Sequence, residues 1–220
     1  TDILHNPDID IVVELIGGSE IAADLVLLAI TNKKHVVTAN KALIATRGEE
    51  IFNSASATGA MVAFEASVAG GIPIVKVIKE ALASNQIESI YGILNGTSNY
   101  MLTQMSEEGK SFDSALTDAQ DLGFAESNPS ADVDGYDAAH KLTILGSLAF
   151  GLGLKYDSVY IEGISSITQE DINYASELGF VIKHLSIARN VNNCLLYTSP
   201  SPRDQRGAGM AAGGCKKKGG

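Results

Sequence analysis

Residues 9–16 (IDIVVELI) form an apolar run of the kind a buried parallel strand shows. Gly17-Gly18 closes it, and Ser19 is placed to cap a helix expected from Glu20 to Thr31. A second short strand is expected at His35–Ala39, a helix from Lys41 to about Thr58, and a third strand at Met61–Ser67. This alternation predicts an open α/β sheet with helices on both faces.

The pattern changes after Pro73. Ile74–Ser84 reads as an amphipathic helix and Ile87–Leu94 as a strand. Helices are expected at Ser98–Glu108, Ser111–Leu122, Tyr136–Phe150 and Thr168–Leu178, and a strand at Phe180–Ala188. Strands and helices no longer alternate simply, so an α+β unit is expected to follow the α/β one. The boundaries drawn are 1–72 and 73–193, with no internal repeat.

Composition narrows the function classes. The chain has 220 residues, 45% hydrophobic and 19% charged, enough for packed cores. No apolar run reaches the ~18 residues of a spanning helix, and the first residues do not read as a signal peptide, so a cytoplasmic protein without membrane contact is expected. The net charge of −10 argues against a nucleic-acid partner. Residues 194–220 hold five cations and one acid, a net +4, which leaves −14 on residues 1–193. Both cysteines, Cys194 and Cys215, also fall in that tail, so disulfides and thiolate metal sites are excluded before it. The tail begins CLLYTSPSPRD, which resembles a translated sequencing-library adapter. It is therefore expected to be an artefactual, disordered segment without packed contacts.

Four segments place polar residues in apolar surroundings. Thr38-Ala39-Asn40-Lys41 follows a strand, where open α/β sheets bind ligands; a solvated lysine at a helix start is the plainer reading. Phe64–Pro73 (FEASVAGGIP) sets Glu65 before a glycine-rich turn, which could supply oxygens to a hard cation or simply cap a helix. Asn95–Tyr100 (NGTSNY) clusters hydrogen-bonding groups at a strand end, for a small polar ligand or a helix cap. Residues 119–141 crowd Glu126, Asp132, Asp134 and Asp137 ahead of Lys141. Asp137 and Lys141 are four apart and share one helix face, where an acid and a lysine can bind an amino acid and deliver a proton. Acids at a helix start are also favoured electrostatically, and the D-V-D-G-Y-D order does not make a calcium loop.

Together these segments resemble the homoserine dehydrogenase family. Residues 119–141 fit A-x3-G-F-A followed by N-P-x2-D-V-x-G-x-D-x3-K, and TANKAL, FEASVAGGIP and GILNGTSNY are similar to family blocks in the family's order. The resemblance implies a partial Rossmann-type parallel sheet in residues 1–72, followed by an α+β substrate and dimerisation domain in 73–193. It implies reduction of L-aspartate 4-semialdehyde to L-homoserine with NADP or NAD, on the route to threonine, isoleucine and methionine. It assigns Lys141 as proton donor with Asp137 beside it, and Glu126 and Lys41 to the substrate. Lys41, Ile16 and Gly17 are assigned to the cofactor. A sodium ion is assigned to Glu65 with Val68, Gly70 and Ile72. A homodimer or higher assembly is implied for the full-length protein. No G-x-G-x-x-G loop is found, so these residues alone are expected to bind cofactor poorly and to be inactive. The competing readings are a non-catalytic α/β ligand-binding module, an inactive remnant, or the dehydrogenase part of an aspartate kinase fusion.

Overall fold

A computed structural model describes residues 2–191 and 194–198. A short helical turn, α1 (Asp2–His5), buries Leu4 against the first core. Then come β1 (Ile11–Glu14), α2 (Glu20–Thr31), β2 (His35–Thr38), α3 (Lys41–Thr58) and β3 (Val62–Ala63). The strands are parallel in the order β1-β2-β3, with Val12 opposite Val36 and Val36 opposite Val62. Helix α2 starts where Ser19 was expected to cap it, but the serine side chain makes no capping bond. Helix α3 is capped by Asn40, whose side chain accepts from the Leu43 N–H at 3.0 Å.

Both crossover helices lie on one face of this sheet, not on two. Ala22, Ala23, Val26 and Ile30 of α2 and Leu43, Ile51 and Ala55 of α3 share one core with Val36. Each step across the sheet goes the same way, and right-handed crossovers taken in one direction deliver every helix to the same face. Ile11, Val13 and Val37 on the opposite face are exposed.

Beyond β3, a 3₁₀ turn at Glu65–Ser67 leads to α4 (Ile74–Lys76), which widens into a π turn over Val77–Ala81. The second unit contains β4 (Ser89–Gly92), α5 (Gly96–Glu107), α6 (Phe112–Asp121), α7 (Ser130–Val133), α8 (Tyr136–Phe150), α9 (Gln169–Glu177), β5 (Ser186–Val191) and β6 (Cys194–Thr198). Its sheet is antiparallel, in the order β4-β5-β6. Helices α5, α6 and α9 close one core around Met101, Leu102, Met105, Ala119 and Ile172. Helix α8 is buried on two sides, with Leu142 and Ala139 toward Ala188 of the sheet and Ile144 and Leu145 toward Ile44, Ala45 and Phe64.

Two expectations about the C-terminal stretch change. Strand β5 begins at Ser186 rather than Phe180, because the preceding residues bond to α5 instead: Lys183 Nζ donates to Thr103 Oγ1 at 2.7 Å, and the His184 N–H to Asn99 Oδ1 at 3.0 Å. Residues 194–198, expected to be free of packed contacts, pair with β5, Val191 opposite Cys194 and Ile187 opposite Thr198. A strand-prone Cys-Leu-Leu-Tyr-Thr run two residues after β5 is well placed to form a hairpin. The expectation of disorder for residues 199–220 lies outside the described residues.

Candidate active site

Asp137 stands in the first turn of α8, where the helix dipole favours an acid. Gly135 opens this helix in the left-handed region (φ 88°), and a side chain there would press on the Glu162 carbonyl and on His184. The turn therefore needs glycine, and it sets Asp137 into the protein with its side chain only 8% exposed. Such burial demands partners. Lys141, one turn on, donates to Asp137 Oδ2 at 2.7 Å. Lys41, at the start of α3, reaches Asp137 Oδ1 at 3.0 Å. Asn95 Nδ2 donates to Oδ2 at 2.9 Å.

Burial by itself would push the Asp137 carboxyl up. The hydrogen bond and charge of Lys141, with smaller contributions from Asn95 and Lys41, outweigh it and hold the carboxyl below the ordinary carboxylate range. Asp137 is thus an anion between two ammonium groups. Lys41 is notable on its own helix, because a cation at an N-terminus opposes the dipole; the facing carboxylate offsets that cost.

Lys141 has a second anchor, the Leu94 carbonyl at 2.8 Å. Of its three hydrogens, one then remains uncommitted among the described residues. It is about one-fifth exposed, reachable by a small molecule while largely held.

The ends of β1 and β2 are joined by a buried network. Thr38 Oγ1 donates to Glu14 Oε2 at 2.6 Å, and Glu14 Oε1 accepts the N–H groups of Ile16 at 2.8 Å and Gly17 at 3.2 Å. Asn40 Nδ2 donates to the Gly18 carbonyl at 2.6 Å. The Ile16–Gly17 loop is thereby tied to the residue before Lys41. Gly17 and Gly18 are both left-handed (φ 81° and 72°), with open space where side chains would stand. Sequence reading singled out the segment from Thr38 to Lys41 but overlooked Glu14 as an organiser, whose signal was an acid inside an apolar strand.

The remaining expected residues divide. Glu126 is exposed, and no contact joins its side chain to Asp137 or Lys141 among the described residues. Its loop is nonetheless docked near Asn95, since Thr97 Oγ1 donates to the Phe124 carbonyl at 2.8 Å and Gln120 Nε2 to the Glu126 carbonyl at 3.0 Å. Glu65 follows the capping alternative: its carboxylate accepts the Val75 and Lys76 N–H groups at 2.8 and 2.9 Å at the start of α4. The Ile72 carbonyl accepts from Ile74 at 2.8 Å. The carbonyls of Val68 and Gly70 accept no hydrogen bond among the described residues.

Comparison with known proteins fits this geometry. A family model described as "Homoserine dehydrogenase" matches residues 73–206, and one described as "Homoserine dehydrogenase, NAD binding domain" matches residues 1–65. The chain belongs to the homoserine dehydrogenase family. A homoserine dehydrogenase of Pseudomonas aeruginosa is 57% identical over 192 residues, covering 87% of this chain and 44% of that protein. The crystal structure of a homoserine dehydrogenase from Thiobacillus denitrificans superposes with a TM-score of 0.87 at 55% identity, over 90% of this chain and 46% of that one. The S. aureus homoserine dehydrogenase at pH 7.5 gives 0.76 at 40% identity, over 90% and 47%. The chain therefore spans somewhat under half the length of these relatives. The match to the NAD-binding domain supports a nicotinamide cofactor for this chain.

Proposed function

We propose that this chain carries the substrate-reducing centre of an enzyme that converts L-aspartate 4-semialdehyde to L-homoserine with NADP or NAD. The observation that carries the reading is the Lys41–Asp137–Lys141 arrangement. One carboxylate, buried between two units, holds a lysine from the α/β sheet at 3.0 Å and a lysine from α8 at 2.7 Å.

A nicotinamide, when bound, would supply hydride to the aldehyde carbon. The glycine turn after β1 and Lys41 after β2 fit such a group, because ligands in open α/β sheets lie beyond the carboxyl ends of the strands. As the carbon is reduced, negative charge gathers on the aldehyde oxygen. The Lys141 ammonium stabilises that charge and gives up its free proton to complete the alcohol. Asp137 and the Leu94 carbonyl hold Lys141 in place, so the ammonium needs no reorientation as the charge forms. Lys41 adds a second positive group on the opposite side of Asp137. Glu126, on its docked loop, is assigned to the substrate ammonium.

A sodium ion belongs to the same proposal. It fits the turn through the carbonyls of Val68 and Gly70, with those of Glu65 and Ile72 beside them, rather than through the Glu65 carboxylate, which caps α4. The ion would stiffen the turn between the two units. The homodimer or higher assembly and the cytoplasmic location implied by the resemblance are also proposed; no described helix is long and apolar enough to cross a membrane.

Kinetics of the full-length protein test the reading. Lys141→Ala should lower kcat by ~10²–10⁴-fold with little change in KM, the mark of a group acting in the transition state. Glu126→Ala should raise KM instead. A near-normal kcat for Lys141→Ala would remove the assignment.

A further inference from the structure

Asn95 is almost fully buried at the turn between β4 and α5, and both polar atoms of its side chain are engaged. Its Oδ1 accepts the Ser98 N–H at 2.8 Å, as a helix cap should. That bond fixes which way the amide faces, so the Nδ2 group must serve the other side. Nδ2 donates to Asp132 Oδ1 at 2.7 Å and to Asp137 Oδ2 at 2.9 Å. The two acids come from different helices, α7 and α8.

We propose that Asn95 is a positioning residue for the reaction assigned above: its amide bridges Asp132 and Asp137 so that Asp137 turns one oxygen to each lysine. The inference rests on the dehydrogenase reading for its catalytic meaning, but not for its geometry. A helix cap needs only an acceptor, and serine or aspartate would do that work equally well. The amide is required by the other two contacts, because two carboxylates facing one group need two donated hydrogens. The preceding residue reinforces the arrangement, since the Leu94 carbonyl takes one hydrogen of Lys141. Two consecutive residues of one turn therefore hold both members of the Asp137–Lys141 pair. The turn is itself anchored from below, with Ser98 Oγ donating to the Asp132 carbonyl at 2.9 Å and Asn99 Nδ2 donating to the carbonyls of Asn95 and His184, both at 2.9 Å.

The groups facing Asp137 are Lys41 from α3, Lys141 and His140 from α8, Asp132 from α7 by way of Asn95, and His184 ahead of β5. Without the amide, Asp137 loses one of its three donors, and Asp132 loses its side-chain partner.

Two variants separate positioning from capping. Asn95→Ser keeps the cap and removes the bridge. Asn95→Asp keeps the cap and shape but turns both donors into acceptors. The first readout is independent of turnover: the Asp137 carboxyl is titrated by carbon NMR, its resonance assigned with Asp137→Asn. The second is kcat/KM against pH for the full-length protein. Asn95→Ser should move the Asp137 titration upward and lower kcat, with KM less affected, by roughly 10-fold or more. Asn95→Asp should be poorer still at neutral pH and recover part of its activity as pH falls, when a protonated carboxyl can again donate. Unchanged Asp137 titration and an unchanged pH profile in Asn95→Ser would overturn the proposal and leave Asn95 a helix cap. Should that variant not fold, the acid-side recovery of Asn95→Asp decides, and its absence overturns the proposal. Should Lys141→Ala keep its turnover, the dehydrogenase reading falls, while the NMR titration still reports on Asn95.

Discussion

Replacing Asp137 by asparagine probes the centre of the site without changing its volume. The variant removes the anion and leaves Lys41 and Lys141, previously 3.0 and 2.7 Å from its two oxygens, facing a neutral amide. The new Nδ2 group also points a donor at one of the two ammonium groups. Two unit charges about 6 Å apart repel by about 3 kcal/mol at an effective dielectric constant near 20. Water screens part of this, because the Lys41 side chain is 39% exposed. Adding the loss of a buried ion pair, we expect a total destabilisation of about 2–3 kcal/mol. For a chain of this length that is a fall in Tm of ~5–10 °C. Urea unfolding at pH 7 and low salt is the assay, with the midpoint shifting at constant slope. Lys41→Met in the Asp137→Asn background should recover part of the loss, since it removes one of the repelling charges.

The pH dependence has a definite sign. The folded Asp137 carboxyl titrates below its unfolded value of about 3.9, so its contribution is complete above that value and is lost as pH falls through the lower folded one. The gap between wild type and Asp137→Asn should close in that acid window. A variant within ~0.5 kcal/mol of wild type at pH 7 would refute the account of a carboxylate holding two cations together.

Two further outcomes follow from buried cations and imidazoles. Lys34 is buried and donates to the carbonyls of Asn6 at 2.6 Å and Ile9 at 2.7 Å, so Lys34→Met should cost about 2–3 kcal/mol; an unchanged urea midpoint would contradict this. Burial pushes His184 and His140 down, helped at His140 by the Lys41 charge, so both are held neutral in the folded protein. Their contribution is complete above the unfolded value of about 6.5 and is lost as pH falls through the folded values; unfolding free energies flat between about pH 7 and 5 would speak against it.

The sequence made some of this legible for local reasons. Helix α3 begins right after its Asn40 cap and α8 runs between two glycines, and both matched the expected bounds because capping chemistry lies within a few residues. The Asp137–Lys141 pair was legible because four-residue spacing fixes a shared face. The contacts that organise the site are different in kind. Glu14 meets Thr38 across 24 residues, and Asn95 meets Asp132 and Asp137 across 37 and 42. No periodicity encodes such distances. The placement of both crossover helices on one face was likewise hidden, because alternation reports the elements and not the direction in which successive strands are added. The family resemblance supplied a role for Lys41, which spacing alone would have left as a solvated side chain.

Helix α3 is a wall common to two rooms. Leu43, Ile51 and Ala55 face the first core, Ile44 and Ala45 face the core shared with α8, and Phe52 packs against both. A helix gripped on two flanks cannot serve as a hinge pin, because any rotation that relieves one interior opens gaps in the other. Lys41, at its tip, is therefore locked in register with Asp137 like a bolt in a frame. The glycine loop at 15–18 and the segment at 123–129 lie outside both of these interiors and are tied down instead by hydrogen bonds, from Glu14 and Asn40 to the first and from Thr97 to the second.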